Sequence, residues 1–405
     1  MPEASWLQTA SPAFRLMIAT SWLAPASWQA KQEEAIREAI AAGMDWMEYI
    51  RLVDRHRTPA LSWTALKRVP GLEIPEPARQ ELQKRSEDCR MQAVRHCLLL
   101  VGALKSFNRA GIPVMTLKGP ILSSELYGDI GLRQSHDLDL VCALEDISRA
   151  QACLEKIGWR LDSTWFPLSP RQWDSLLRHE HDLGFVHSHG DCILELHWRN
   201  TWDPPGLNSA RWARSIPSIW QGCSHQAMNP IDQVLYLCSH GGGQPHAWSR
   251  AKWLGDLARV HAEGKFDWAA ALGEARRIGQ ERALLACLRL LDLAYGIPLP
   301  DLPGDPWKNL PSLLIEIPLH ALKAPEQHVI RISMATLRSR LRMSRYERLL
   351  LPRKSWRDSL SMLLYRRDDF RMLRLPDGLF WAYAPLHPIL WAWRWMRRGQ
   401  PIGDL

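Results

Sequence analysis

Two aspartates, Asp137 and Asp139, lie one residue apart in the segment RQSHDLDLVC, within an alternating run of apolar residues. Side chains two positions apart in a strand lie on the same face, so both carboxylates are predicted to be neighbours, with Leu138 and Leu140 on the opposite face. Two carboxylates at that spacing repel each other unless water screens them or a cation lies between them. The pair is therefore a candidate cation site.

A third carboxylate, Glu195, lies between Leu194 and Leu196 in the later segment CILELHW. A carboxylate in apolar surroundings is costly unless it has a partner. Three carboxylates on adjacent strands would make an oxygen-rich site of the kind that Mg²⁺ prefers, with Mn²⁺ as the alternative ion. Two metal ions bridged by Asp137 and Asp139 would stabilise the attacking and leaving oxygens of a phosphoryl or nucleotidyl transfer.

Before the aspartates, the segment LKGPILSSELYGD predicts a turn that leads into a short helix. Gly119 permits an otherwise strained backbone, the helix start presents free N–H groups, and Lys118 adds a positive charge, so the turn is a candidate phosphate site. Arg133 is a second candidate phosphate ligand. The alternative for this arginine is a salt bridge to Asp129 or Glu125.

The segment HGGGQPHAWSRAKWLGD, at residues 240–256, is unusually polar for a helical region. Its three glycines predict a break in the helix near Ser239, after which the chain surrounds a loop close to the carboxylates. An HGGG string also occurs in esterase oxyanion loops, but the chain contains no GxSxG motif, so the hydrolase interpretation is excluded. The candidate residues of this segment are His240 and Arg250, assigned to donor binding, together with His246 and Asp256.

Several histidines fall between residues 179 and 197, which raises the question of a zinc site. No cysteine or tight ligand quartet completes a tetrahedral set there, so zinc is disfavoured. His197 is assigned mainly to packing or to support of the site, and His181 is a candidate to face it.

The elements that must position these residues form a helix, sheet, helix succession. Residues 31–53 and 79–109 have helical periodicity, and PVMTL and HDLDLVCAL have the character of short strands. LEDISRAQACLEKIGW predicts an amphipathic helix that ends at Gly158, and HDLGFVHSHGDCILELHW predicts a hairpin that turns at residues 188–191. The pattern predicts an α+β protein with a small mixed β-sheet core, divided into a helical region (1–95), the α/β core (96–200), a helical domain (201–320) and a basic tail region (321–405).

Composition places the chain among ordinary globular proteins, with 46% hydrophobic and 23% charged residues over 405 positions. The eight cysteines are scattered without a CxxC pair, which favours reduced thiols and a cytoplasmic location. We expect neither a signal peptide nor a membrane-spanning helix. The catalytic half has no basic stripe, so nucleic acid is disfavoured as a partner.

Positive charge is concentrated in the tail, where residues 321–405 contain 17 Lys and Arg against 7 Asp and Glu. Three interpretations remain open. The final helix docks its tryptophans on the protein, makes peripheral contact with an anionic inner-membrane surface, or binds a phosphate-rich partner. The residues concerned are Trp391, Trp393 and Trp395, interleaved with Arg394, Arg397 and Arg398.

The series LKGPILSSELYGDIGLRQSHDLDLVC, ILELHW and LCSHGGGQPHAWSRAKWLGDLA resembles an uncharacterised bacterial nucleotidyltransferase-like family of the DNA polymerase beta type nucleotidyltransferase superfamily. The similarity covers residues 30–261 by the order and spacing of its elements. It implies a nucleotidyltransferase core in which Asp137 and Asp139 are the paired metal ligands and Glu195 is the third carboxylate. Well-studied superfamily members have Gly-Ser in the turn before the first carboxylate strand, whereas this chain has Lys118-Gly119-Pro120.

The leading hypothesis is a Mg²⁺-dependent nucleotidyltransferase that uses an NTP, with ATP preferred, as donor. The acceptor is a small molecule, a peptide natural product or a polysaccharide precursor. Glu195 would orient or deprotonate the acceptor, and Lys118 with Arg133 would neutralise the triphosphate. The alternatives are a non-catalytic binding module on the same fold and a metal-dependent transferase that uses a nucleotide-sugar.

Overall fold

The computed structural model describes residues 6–162, 168–188, 192–199, 207–324, 337–351 and 367–397. Most of these residues are helical. The helices that precede or interrupt the first strands are α1 (Pro12–Thr20), α2 (Gln29–Ala41), α3 (Trp46–His56), α4 (Pro59–Lys67), α5 (Glu76–Arg109), α6 (Pro120–Tyr127), α7 (Ile147–Glu155) and α8 (Pro170–His179). The later helices are α9 (Leu207–Arg214), α10 (Pro230–Gly242), α11 (Ala251–Ala262), α12 (Trp268–Ile278), α13 (Glu281–Tyr295), α14 (Leu313–Lys323), α15 (Leu337–Leu350), α16 (Arg367–Met372) and α17 (Tyr383–Arg397).

The helical periodicity over residues 79–109 is confirmed as α5, and that over residues 31–53 is confirmed as two helices, α2 and α3. Gly43 interrupts that segment with a backbone φ of +82°, a conformation that side chains with a Cβ rarely adopt. Asp45 then starts α3, because its side chain accepts hydrogen bonds from the N–H groups of Met47 and Glu48. The helical periodicity is real on both sides of the break, and local cap chemistry divides it.

One mixed sheet of seven strands forms the centre of the fold, as the predicted α+β class requires. Its spatial order is β3-β4-β5-β2-β1-β7-β6. The pairs β2–β5 and β1–β7 are parallel, and the other four are antiparallel. The strands are β1 (Met115–Thr116), β2 (Asp137–Val141), β3 (Trp159–Leu161), β4 (Asp182–His187), β5 (Ile193–His197), β6 (Ile216–Trp220) and β7 (Cys223–Ala227).

The predicted pairing of β4 with β5 is confirmed, and its turn at residues 189–191 lies outside the described residues. The hairpin β6–β7 was not predicted, because the region after residue 200 was expected to be helical. Strand β7, CSHQA, carries polar residues without a clean alternation, and its pairing with β1 rather than its own pattern fixes it in the sheet.

The helices on the apolar face of the sheet cover its leucines. Leu138 lies opposite Leu194 in the parallel pair β2–β5, and both pack with Leu104 and Phe107 of α5 in one buried cluster. Because side chains alternate along a strand, the neighbours of these leucines in sequence lie on the other face. The aspartates of β2 are among those neighbours.

A second and larger apolar cluster joins the N-terminal helices to α10, α11 and α13. None of the described helices is both long and apolar enough to cross a lipid bilayer. All eight cysteines fall within the described residues, and no disulfide links them.

Gly255 allows α11 to pack against the end of α1, and its replacement tests that contact. A Cβ at this position would lie 2.5 Å from the backbone oxygen of Ser21, which is too close for two non-bonded atoms. We expect Gly255→Ala to lower the free energy of unfolding by about 1–3 kcal/mol. The measurement is urea denaturation followed by circular dichroism.

The matched control is Gly273→Ala in α12, where an added Cβ meets no atom within 4 Å. Removing a glycine from a helix interior without a clash should stabilise the protein by about 0.5–1 kcal/mol. Equal responses of the two variants would contradict the proposed packing of α11 on α1.

Candidate active site

Strands β2 and β5 place three carboxylates on one face of the sheet. Asp137 and Asp139 alternate with Leu138 along β2, and the parallel register sets Asp139 directly opposite Glu195. The side chain of Asp139 is only 1% exposed, whereas those of Asp137 and Glu195 are 33% and 35% exposed. One carboxylate therefore forms the floor of the site, and two face the solvent.

Lys118 lies among these carboxylates. Its Nζ is 3.2 Å from Asp139 Oδ1, 3.8 Å from Asp137 Oδ2 and 3.4 Å from His240 Nε2. Burial alone would lower the pKa of Lys118, but the negative charges of Asp139 and Asp137 outweigh it and raise that pKa above its ordinary value. The lysine is therefore a permanent cation that relieves the repulsion between the two aspartates.

The two aspartates respond differently to these surroundings. Burial opposes ionisation of Asp137, yet Lys118 and then Lys252 hold its pKa below the ordinary range. Burial raises the pKa of Asp139, and the negative charge of Asp137 adds to this despite Lys118. The outer carboxylate is thus firmly ionised, and the inner one depends on a nearby cation to remain so.

His197 completes the cluster from β5. Its Nε2 lies 3.4 Å from Asp139 Oδ1 and 3.5 Å from Glu195 Oε2. Burial favours the neutral ring, but the carboxylates of Asp139 and Glu195 outweigh it and raise the pKa of His197 to about 10. Sequence analysis assigned this residue mainly to packing. Its position two residues after Glu195 could have indicated a role in the site, because side chains two apart in a strand lie on the same face.

The turn before α6 has the backbone that the sequence predicts. Gly119 precedes the helix with a φ of +82°, and an added Cβ would lie 3.9 Å from the backbone oxygen of Asp137. Glycine is therefore required here because of its backbone conformation, and not because an added Cβ would clash. The turn holds Lys118 beside the start of β2.

Arg133 has a different partner from either predicted salt bridge. Its Nε donates to Asp256 Oδ2 at 2.7 Å, and both side chains are fully buried. Asp129, one of the expected partners, instead pairs with Arg90. Arg133 therefore connects the loop before β2 to α11, and a role as an open phosphate ligand does not follow from its position.

The glycines of the HGGG string serve packing. Helix α10 continues through Gly242 instead of ending near Ser239. A Cβ on Gly241 would lie 2.5 Å from the indole of Trp248, and one on Gly242 would lie 3.1 Å from it. The absence of side chains at these positions lets a completely buried tryptophan lie against the helix backbone.

The structure brings His240 to the site, as predicted, and surrounds it with rings. The centroid of His240 is 4.6 Å from that of His246 and 5.9 Å from that of Trp253. Burial and the charge of Lys118 hold the pKa of His240 well below its ordinary value, so its neutral ring accepts a hydrogen bond from the ammonium group. Arg250 lies over Trp253, with its Cζ 5.7 Å from the ring centroid.

The donor set fits a hard divalent cation. Carboxylate oxygens of Asp139 and Glu195 lie within 4.8 Å of each other and of a ring nitrogen of His197, whose protonated form these carboxylates favour. Asp139 Oδ2 is buried and has no hydrogen-bond partner, so it retains a lone pair for a metal ion. A neighbouring set of His181, Asp182 and His197 shares one residue with the first. The ring centroids of His181 and His197 are 5.8 Å apart, which places His181 beside the cluster.

A cavity of about 780 Å³ beside α5 is separate from this cluster. Its lining includes Gln134, His187 and Cys192, but none of the three carboxylates. The strand register puts His187 and Cys192 on the leucine face of the sheet. The carboxylates therefore lie on the opposite face of the sheet from His187 and Cys192 of the cavity lining.

The sequence profile of an uncharacterised nucleotidyltransferase family matches residues 42–296 of the chain. The protein belongs to this family. The matched region contains all three carboxylates, Lys118 and the segment from His240 to Asp256. No curated protein matches this chain by sequence.

Solved structures give weaker similarities. A solution structure of the antibiotic-resistance factor ANT(2'')-Ia is 13% identical, covers 47% of this chain and 93% of its own, and has a TM-score of 0.33. A crystal structure of the same factor with adenylyl-2''-tobramycin is 12% identical, with coverages of 50% and 97% and a TM-score of 0.27. JHP933 from Helicobacter pylori is 16% identical, with coverages of 62% and 98% and a TM-score of 0.28. These values are low, so the family assignment rests on the sequence profile.

The buried pair of Arg133 and Asp256 is expected to be a strong determinant of stability. Asp256→Asn would leave the guanidinium buried without a counter-charge, at a cost of about 3–5 kcal/mol in the free energy of unfolding. The double variant Arg133→Met/Asp256→Leu removes both charges and should lose less than Asp256→Asn alone. Urea denaturation of the variants provides the measurement.

The control is Glu33→Gln, which removes an exposed ion pair with Arg37. Its cost should be below about 1 kcal/mol. If Asp256→Asn also lowers the free energy of unfolding by less than about 1 kcal/mol, the buried pair does not contribute strongly to stability.

Proposed function

We propose that the protein catalyses Mg²⁺-dependent transfer of a nucleotidyl group from an NTP, with ATP as the preferred donor, to an acceptor of low molecular weight or a biosynthetic precursor. One observation carries the proposal: the β2–β5 register sets Asp139 opposite Glu195, with Asp137 on the same face. Membership of a nucleotidyltransferase family gives this arrangement of carboxylates its chemical meaning.

Asp137, Asp139 and Glu195 would hold the metal. A bound Mg²⁺ supplies positive charge that stabilises the charge developing on the transferred phosphoryl group. The open lone pair of Asp139 Oδ2 and the solvent exposure of the other two carboxylates support this assignment. Oxygen donors also match the preference of Mg²⁺ over softer metals.

The chain's own residues then position and neutralise the substrates. Lys118 is fixed between the aspartates and His240, so its charge remains next to the reacting phosphate. Glu195 is exposed enough to accept a hydrogen bond or a proton from an acceptor hydroxyl at its Oε atoms. His197, next to Glu195 Oε2, keeps that carboxylate oriented.

The C-terminal helix offers a second, separate feature. Tyr383 and Leu390 of α17 are buried, whereas Ile389, Trp391 and Met396 on its other side are 63%, 54% and 69% exposed. We propose that this surface contacts anionic lipid, because the tail region around it is strongly basic and tryptophan favours the membrane interface. The side chains of Trp395 and Arg397 lie outside the described part of the structure, and so does the whole of Arg398.

Isothermal titration calorimetry with ATP, GTP, CTP and UTP tests the transferase proposal. In Mg²⁺ the wild-type protein should bind one nucleotide, ATP being the expected one, and chelation of the metal should abolish binding. Asp137→Asn/Asp139→Asn removes two carboxylates without changing their shape and should weaken binding by about tenfold or more. Circular dichroism confirms that the variant is folded.

Asp301→Asn/Asp305→Asn is the charge-matched control, because both aspartates are exposed and outside the site. It should bind as the wild type does. If the folded wild-type protein binds none of the four nucleotides, nucleotide-sugars become the next donors to test and the NTP proposal fails.

Sedimentation with lipid vesicles tests the proposed membrane contact. The full-length protein should pellet with vesicles that contain phosphatidylglycerol and much less with pure phosphatidylcholine, and added salt should release it. Ile389→Ser/Trp391→Ser should reduce the bound fraction by about tenfold, because two apolar side chains no longer enter the interface. Met47→Ser, at an equally exposed apolar position on α3, should have no effect. Pelleting that does not depend on Ile389 and Trp391 would contradict the proposal.

A further inference from the structure

Lys252 is a buried cation whose counter-charge is missing. The residue is 6% exposed, and its Nζ donates one hydrogen bond, to the backbone oxygen of Gln134 at 3.1 Å. Among the described residues, no carboxylate comes within salt-bridge distance of this ammonium group. Lys118 and Arg133, the other two buried cations of the site, each pair with a carboxylate.

An ammonium group carries three donors, so one backbone contact leaves Lys252 incompletely satisfied. Burying a charge in this way costs free energy unless another partner binds. Burial and the positive charge of Arg133 lower the pKa of Lys252 to about 7, although Asp137 acts in the opposite direction. A bound anion would supply the missing partner and stabilise the charged form.

The position of Lys252 connects it to the carboxylates. Gln134, which accepts its hydrogen bond, is three residues before Asp137 in the loop that leads into β2. Burial raises the pKa of Asp137, and the positive charges of Lys118 and then Lys252 outweigh it and hold that pKa low. Lys252 therefore acts on the same side of the site as the outer aspartate.

We propose that Lys252 binds a phosphate oxygen of the donor's polyphosphate tail. This inference rests on the proposed nucleotidyl transfer. Of the cations at the site, Lys118 is held by two aspartates and a histidine, and Arg133 is held by Asp256. Among the described residues of the site, Lys252 is the buried cation that retains hydrogen-bond donors for a ligand. The polyphosphate is the anionic part of an NTP and can accept those hydrogen bonds.

A structural alternative makes the test specific. If Lys252 only fastens α11 to the loop before β2, its loss would weaken all ligands of the site equally. If it binds the polyphosphate, its loss would weaken ATP much more than AMP, because AMP lacks the β- and γ-phosphates. The ratio of the two dissociation constants, Kd for AMP over Kd for ATP, distinguishes these cases.

Calorimetry of ATP and AMP in Mg²⁺ is performed on the wild type, Lys252→Met, Lys252→Arg and Lys265→Met. Lys265 is 86% exposed, so its variant changes the net charge equally without reaching the site. Lys252→Met should lower the ratio by about tenfold or more, since a charge-assisted hydrogen bond is lost. Lys252→Arg keeps the charge and should retain most of the ratio, and Lys265→Met should match the wild type.

The outcomes separate this inference from the proposed function. A wild type that binds ATP, with an unchanged ratio in Lys252→Met, overturns the role of Lys252 and leaves nucleotidyl transfer standing. A wild type that binds neither nucleotide overturns the proposed function and this inference with it. Thermal unfolding verifies that each variant is folded. If Lys252→Met does not fold, Lys252→Arg provides the second comparison. A Kd ratio for Lys252→Arg as low as the one expected for Lys252→Met would then overturn the inference.

Discussion

The contact between Lys118 and Asp139, 3.2 Å between Nζ and Oδ1, is the constraint on which the site depends. Asp139 is buried in the middle of a sheet, with Asp137 and Glu195 as its neighbours. Such a carboxylate is tolerated only if positive charge lies close to it. Lys118 provides that charge from the turn after β1, and the left-handed backbone of Gly119 holds the turn in place.

The same contact links folding to the proposed chemistry. A divalent cation held by the three carboxylates would take over part of the neutralisation that Lys118 provides. The lysine would then be able to direct its charge toward a phosphate instead of sharing it between two aspartates. His240 helps here, because its neutral ring accepts from Lys118 without adding a competing charge. Lys118 thus neutralises part of the charge of the two aspartates, and Asp139 Oδ2 retains a lone pair for a ligand.

The sequence predicted the part of the site that depends on local pattern. Alternation along β2 put both aspartates on one face, and the apolar neighbours of Glu195 indicated that it needed a partner. Partners distant in sequence were missed, such as Asp256 for Arg133, 123 residues away. The sheet's edge β6–β7 was missed for the same reason, because the pairing of β7 with β1 is a tertiary contact. Gly43 shows the opposite case, in which a local break was visible but helical periodicity on both sides obscured it.

The helices after the sheet are as necessary to the site as the strands. Helix α10 supplies His240, and α11 supplies both Asp256 and Lys252, which contact Arg133 and Gln134 in the loop before β2. That loop sets where β2 begins and hence where Asp137 lies. Gly255 lets α11 pack closely against the backbone of Ser21, and Gly241 lets α10 pack closely against the indole of Trp248. A shift of α11 would therefore move a buried ion pair and a buried ammonium together. For this reason we expect the geometry of the carboxylates to respond to substitutions in the helical region as well as to those in the sheet.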